Sequence, residues 1–131
     1  VDTIEVGYGY SARYVVTLRD GSGRAVTGVY AGTETLGVVI GIGAGAELPG
    51  VLSTAEWAAV TRAADGRITS AVANASGGPA GTILLTIDEA DIVACGVGTF
   101  GLTIELTDAG RVYECYRASL RVKCRPGGSG Y

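Results

Sequence analysis

The residues able to do chemistry in this chain are few and of particular kinds. It has seven tyrosines and three cysteines but no histidine. Without imidazole the usual general base near neutral pH and the commonest metal ligand are missing, so histidine-based dyads and triads are excluded. Cys95, Cys115 and Cys124 lack the C-x-x-C spacing of a zinc or thioredoxin-like motif. Cys115 and Cys124 would stand roughly 30 Å apart in one extended strand, far beyond disulfide reach. Cys95 is geometrically free to pair with either, and three reduced, mostly buried thiols are the expectation.

Carboxylates cluster in "TIDEAD", where Asp88, Glu89 and Asp91 could hold a hard cation or act as acid and base. The ladder and Gly-x5-Glu completion of a calcium loop are absent, and these acids read as exposed strand-end residues. "GVVIGIGAG" matches a dinucleotide glycine pattern only loosely, and "GSGRAVTG" lacks the Lys-Ser/Thr ending of a phosphate loop. No metal and no cofactor is expected, and catalysis is disfavoured.

Two groups of residues remain. Arg111, Arg117, Arg121, Lys123 and Arg125 carry half of the ten basic charges of a chain whose net charge is -3. Arg117, Arg121 and Lys123 fall on one side of a period-two strand, whose successive same-face residues lie about 6.6 Å apart, a spacing that also suits nucleic-acid phosphates. The acidic balance disfavours a general polyanion surface. A solvated sheet face, with Glu105 of the preceding strand pairing an arginine, explains the ladder more simply. Tyrosine is the second group. Tyr8, Tyr10, Tyr14 and Tyr30, with Val38 and Ile40 of a Gly/Val/Ile strand, form the expected contact surface, with Arg117, Arg121 and Lys123 as a secondary one. In an alternative pocket, Tyr14, Tyr113 and Tyr116 line a barrel with Glu114. Glu114 falls on the apolar side of its strand, where burial would raise its pKa unless a bulge turned it outward.

These residues need a scaffold, and 131 residues with 47 % hydrophobic content suffice for one compact β-rich domain over residues 1–131. The expected architecture is mainly β, an antiparallel β-sandwich or small β-barrel with one central helix. An edge strand is expected near residues 3–7, and a hairpin turning at Asp20-Gly21-Ser22-Gly23 follows. Its first arm turns Tyr10, Ala12, Tyr14, Val16 and Leu18 inward. A third strand covers about Thr35 to Ile42. "LSTAEWAAVTRAADG" reads as the helix, with Ser53 and Glu56 as a capping box and Trp57, Val60 and Ala64 on one stripe. "RITSAVANA" is ambiguous between helix and strand, and "SGGPAG" is a turn. "TILLTID", "GTFGLTIELT" and "RVYECYRASLRVKC" supply three late strands, the last two joined at Asp108-Ala109-Gly110. In the final strand Val112, Glu114, Tyr116, Ala118, Leu120, Val122 and Cys124 should share one face and Tyr113, Cys115, Arg117, Ser119, Arg121 and Lys123 the other. The tail at about 125–131 should be flexible.

The longest apolar stretch, "LGVVIGIGAGAELPGVL", is broken by Glu47 and Pro49 and does not read as a membrane span. "VDTIEV" shows no leader pattern, and a chain beginning at Val leaves localisation open. The function these features favour is a non-enzymatic binding or self-assembly module, such as a subunit of a homo-oligomer or shell. Its partner would be itself or another protein, with nucleic acid disfavoured. The competing class is a small β-barrel enzyme or ligand carrier with a tyrosine-lined pocket.

Overall fold

Period-two alternation at the C-terminal end of the chain becomes the spine of the structure. The computed structural model describes residues 2–17, 35–73 and 82–124. Strand β9 (Arg111–Lys123) pairs antiparallel with β8 (Gly98–Asp108), which pairs antiparallel with β3 (Thr35–Gly43). A short β4 (Ala46–Glu47) extends that edge, and β1 (Asp2–Gly7) adds to β9 in parallel, giving the order β1-β9-β8-β3-β4. A second, four-stranded sheet has the order β2-β7-β5-β6. Its strands are β2 (Ala12–Thr17), β5 (Thr54–Arg62), β6 (Ile68–Ala73) and β7 (Thr82–Ile87). The one helix among the described residues, α1 (Glu89–Cys95), links β7 to β8. The mainly-β class with one helix is therefore as expected.

The two sheets meet in one core. Ile4, Val6, Ile40, Leu102, Ile104, Leu120 and Val122 come from the first sheet, Val16, Trp57, Ile83, Leu85 and Ile87 from the second, and Ile92 from α1. Phe100 packs against them and Leu106 is buried with them, so Phe100, Leu102, Ile104 and Leu106 all face inward along β8. Ala12 and Tyr14 also line the core side of β2, as expected for the first hairpin arm. The hairpin turn, Leu18, Tyr30, "SGGPAG" and the 125–131 tail lie outside the described residues.

The helix is not where the sequence placed it. Residues 54–62 are strand β5: Thr54–Trp57 pair with β7 and Ala58–Arg62 with β6. Ala55 and Trp57 are buried while Thr54 and Glu56 are exposed, so the segment satisfies a period of two as well as one near 3.6. Pairing on non-local partners decides between them. Asp65-Gly66 then closes a hairpin, with Gly66 N–H donating to the Ala63 carbonyl at 2.9 Å, and Ile68–Ala73 of "RITSAVANA" form β6.

The helix instead forms over "EADIVAC". Asp88 caps it by accepting the Ala90 N–H at 2.8 Å, and Gly96, at φ 80°, ends it with a bond to the Ile92 carbonyl. Acid-x-x-acid followed by glycine was the available signal, but seven residues are too few for a helical period to show.

The β8–β9 hairpin turns at Ala109-Gly110 between the paired residues Asp108 and Arg111. Both central residues have positive φ, 50° and 82°, the mirror-image geometry that matches strand twist. Alanine is strained there, and asparagine is not. Ala109→Asn should therefore raise unfolding stability by about 0.5–1 kcal/mol, read as an upward shift in the urea midpoint with unchanged slope.

Candidate functional site on the outer sheet face

Register assigns every side chain of β3, β8 and β9 to a face. Val38 stands opposite Ile104 and Ile40 opposite Leu102, both pairs turned to the core. Ile40 is 0 % exposed and Val38 packs against the core, so the proposed contact surface on β3 is corrected. The outward residues are its alternates, Gly37, Val39 and Gly41. Across the sheet, Val39 lines up with Thr103 and Arg117, and Gly41 with Gly101 and Ser119. Thr99 and Arg121 make the next outward pair.

A bulge changes the expected faces of β9. Ile104 opposes Tyr116, but Glu105 opposes Glu114, so Cys115 is the extra residue. Its thiol turns to the Ile104 carbonyl at 3.3 Å and packs against the core instead of facing out. Beyond it the two faces exchange. Val112 is 59 % exposed, and Glu114 points outward. Tyr113 now opposes Leu106 at the sheet end and stays half exposed. Glu114 is thus not a buried acid.

The bulge also decides the charge pairing. Glu105 and Glu114 lie directly opposite, an arrangement that disfavours itself unless a cation intervenes. Arg117 does so, with Nε 2.6 Å from Glu114 Oε1 and Nη2 donating to Oε2 at 2.9 Å. Lys123 pairs with Glu5 across the β1–β9 seam. The hydrogen bond from Lys123 is the main reason the Glu5 carboxyl is held below its ordinary range, with Lys123 and Arg121 charges adding to it. Glu114, not Glu105, is therefore the carboxylate paired with Arg117.

Outward residues of β3, β8 and β9, with the β3–β4 turn, enclose an open depression of about 600 Å3. Val39, Gly41, Gly101, Thr103 and Ser119 form its floor, and Arg117 and Glu47 stand at its margins. A second depression of about 390 Å3 lies along the same face beside Thr99, Arg121 and Lys123.

The described tyrosines are each engaged within the fold or at its margin. Tyr8 packs at the core margin, and Tyr10 lies over Gly7, where an added Cβ would come within 2.6 Å of its ring. Tyr14 donates its hydroxyl to the Glu5 carbonyl, and Tyr116 donates to Asp2 Oδ2 at 2.9 Å. Burial raises the pKa of both phenols, reinforced by Glu5 for Tyr14 and by Asp2 for Tyr116. Those two phenols are bound to β1 at positions three residues apart, and Tyr113 sits at the far hairpin end. Tyr113 and Tyr116 oppose Leu106 and Ile104 on the inner side of the sheet, whereas Glu114 opposes Glu105 on the outer side and is not among them.

Asp91 was missed. It is 3 % exposed rather than a strand-end acid. Its carboxyl oxygens accept the Leu52 and Ser53 N–H groups and the Ser53 hydroxyl. Ser53 Oγ in turn accepts the Asp88 N–H at 3.1 Å. Ser53 thus joins β5 to the helix instead of capping a helix of its own.

Burial pushes the Cys115 thiol up from an ordinary 9.0 to about 11. At pH 8 its thiolate fraction should be about a hundredfold below that of an ordinary thiol, and its alkylation by iodoacetamide correspondingly slow in the folded state. Because the folded thiol keeps its proton longer than the unfolded one, stability present below pH 9.0 declines as pH rises towards about 11. Cys115→Ser should flatten that alkaline decline.

Among the described residues no group of three or more histidine, cysteine, aspartate or glutamate side chains is placed to hold a metal ion. No described helix is long and apolar enough to cross a membrane. No protein-family model, curated protein or solved structure matches the chain significantly.

Proposed function

We propose that this domain is a non-catalytic binding or self-assembly module that presents the outer face of its five-stranded sheet to a protein surface. The observation that carries this reading is the depression on that face. Its floor is made of glycines, Val39, Thr103 and Ser119, without a cluster of acids, bases or nucleophiles aimed into it. Chemistry-bearing side chains elsewhere are engaged within the fold: Asp91 on Ser53, Tyr14 and Tyr116 on β1, Glu114 on Arg117. Backbone-floored, shallow and polar-rimmed surfaces suit protein contact better than capture of a small molecule, which favours enclosure. Two of the three ladder cations, Arg117 and Lys123, are already paired with carboxylates. That pairing supports protein over nucleic acid as the partner.

Light scattering on the purified chain, with absorbance at 260 and 280 nm, tests this reading. Expected is a mass at a multiple of 13.2 kDa and a protein-only absorbance ratio. Copurified nucleic acid would count against it, as would a monomer at the highest soluble concentration that binds no protein.

A further inference from the structure

Nothing inside the subunit requires glycine on the floor of the depression. Of the two glycines on that floor, a Cβ built at Gly101 meets no heavy atom within 4 Å, and one at Gly41 meets only backbone oxygens, the nearest, of Gly101, at 3.9 Å. Neither adopts the left-handed backbone that favours glycine, unlike Gly43 and Gly45 of the β3–β4 turn at the edge of the depression, whose φ values are 104° and 77°. Glycine weakens a strand interior, and where the fold does not demand it the usual gain is close approach by another backbone or a ligand. The floor is thus permissive towards side chains from within the subunit and restrictive only towards something arriving from outside.

The margins carry opposite charges. Arg117 stands on β9 and Glu47 on β4, with β8 and β3 between them, and both lie on the outer face, since Arg117 aligns with Thr103 and Glu47 with Gly41. Three strand spacings separate them, about 14 Å. The bidentate grip of Glu114 uses Nε and Nη2 of Arg117, which holds the guanidinium at the margin and leaves Nη1 to donate elsewhere.

We infer that the occupant of this face is a second copy of the chain, docked about a two-fold axis that places each Arg117 against the other copy's Glu47. Resting on the module reading above, this names its partner. A two-fold axis lying between two such faces and bisecting the Arg117–Glu47 line exchanges the two positions, which is the self-complementarity an isologous dimer needs. The same axis passes over Val39, Gly41, Gly101 and Thr103, so the sheets approach most closely where side chains are smallest. The charges set the register and exclude wrong partners, while the close-packed floor supplies the contact area.

Three variants test this by light scattering and sedimentation. Gly101→Thr puts a β-branched side chain on the floor. It should fold with a melting temperature no lower than the parent's and lose self-association. Glu47→Arg and Arg117→Glu should each weaken self-association by on the order of a hundredfold, because each repeats a like-charge contact twice about the axis. Mixed in equal amounts, the two charge variants should associate with each other, since both contacts in the heterodimer are then opposite in charge. A mixture that stays monomeric sinks the two-fold geometry. An oligomeric parent unaffected by all three variants moves assembly to another surface, which overturns this dimer and the choice of the outer sheet face and leaves only self-association standing. A parent that is monomeric at every concentration overturns the dimer, and only its failure to bind any other protein would take the module reading with it.

Discussion

Asp91→Ala should cost the fold about 3 kcal/mol, the largest effect expected of any single polar substitution here. The carboxyl group is buried and accepts the Ser53 N–H at 2.8 Å, the Ser53 hydroxyl at 2.5 Å and the Leu52 N–H at 3.1 Å. Alanine removes the acceptor and leaves those donors enclosed, and an unsatisfied buried donor costs about 1–3 kcal/mol by itself. The damage extends beyond one contact, because Ser53 also holds the first backbone N–H of the capping turn through Asp88. Helix α1, the entry to β5 and the end of β7 are tied at this one point. Ser53→Ala removes only the hydroxyl and should cost about 1–2 kcal/mol, and the double variant should fall short of the sum because the two share a bond. Urea denaturation of the four proteins gives the cycle. A loss below 1 kcal/mol for Asp91→Ala would mean that water replaces these bonds and that the tether is not structural.

Leu120→Ala should cost a similar amount, about 3 kcal/mol within the 2–5 kcal/mol range of buried leucine truncations. Leu120 is 0 % exposed and lies between Phe100 of β8 and Ile4 of β1. Truncation leaves a void in the middle of the five-stranded sheet, where paired strands on both sides limit collapse. The parallel β1 depends on that seam for its inward Ile4 and Val6, so their amides should also exchange faster with solvent. Arg121→Ser, one residue away on the solvated face, is the matched control and should stay within about 0.5 kcal/mol. Equal losses at the two positions would contradict the inward–outward assignment of β9.

That assignment shows how much the primary structure conveys. In β8 an apolar residue alternates with a polar one from Leu102 to Thr107, and an antiparallel strand with one wet face admits only one reading of that pattern. The same logic places Ala118, Leu120 and Val122 inside and Arg117, Arg121 and Lys123 outside. Val38 and Ile40 were misassigned because glycine on the alternate positions leaves no polar face for comparison; pairing with Ile104 and Leu102 settles them.

Segment 54–62 fails for a different reason. Alanine-rich, with Trp57 and Val60 three apart, it fits a helix locally, and only edges offered by β7 and β6 make it a strand. Local propensity is worth tenths of a kcal/mol per residue, and burial against distant partners outweighs it. The bulge at Cys115 is equally non-local. One additional residue in β9 relative to β8 turns Glu114 out and Cys115 in, and neither strand alone carries that mismatch.

Alternation, charge and the lack of imidazole are written along the chain, so the β class, the solvated cationic ladder and the exclusion of histidine chemistry can be read without coordinates. Which glycines share a floor, which acid is buried and which carboxylate meets Arg117 depend on strands distant in the chain being laid side by side. Cross-strand register is a relation between segments, and the free energy that selects it exists only once both are in place.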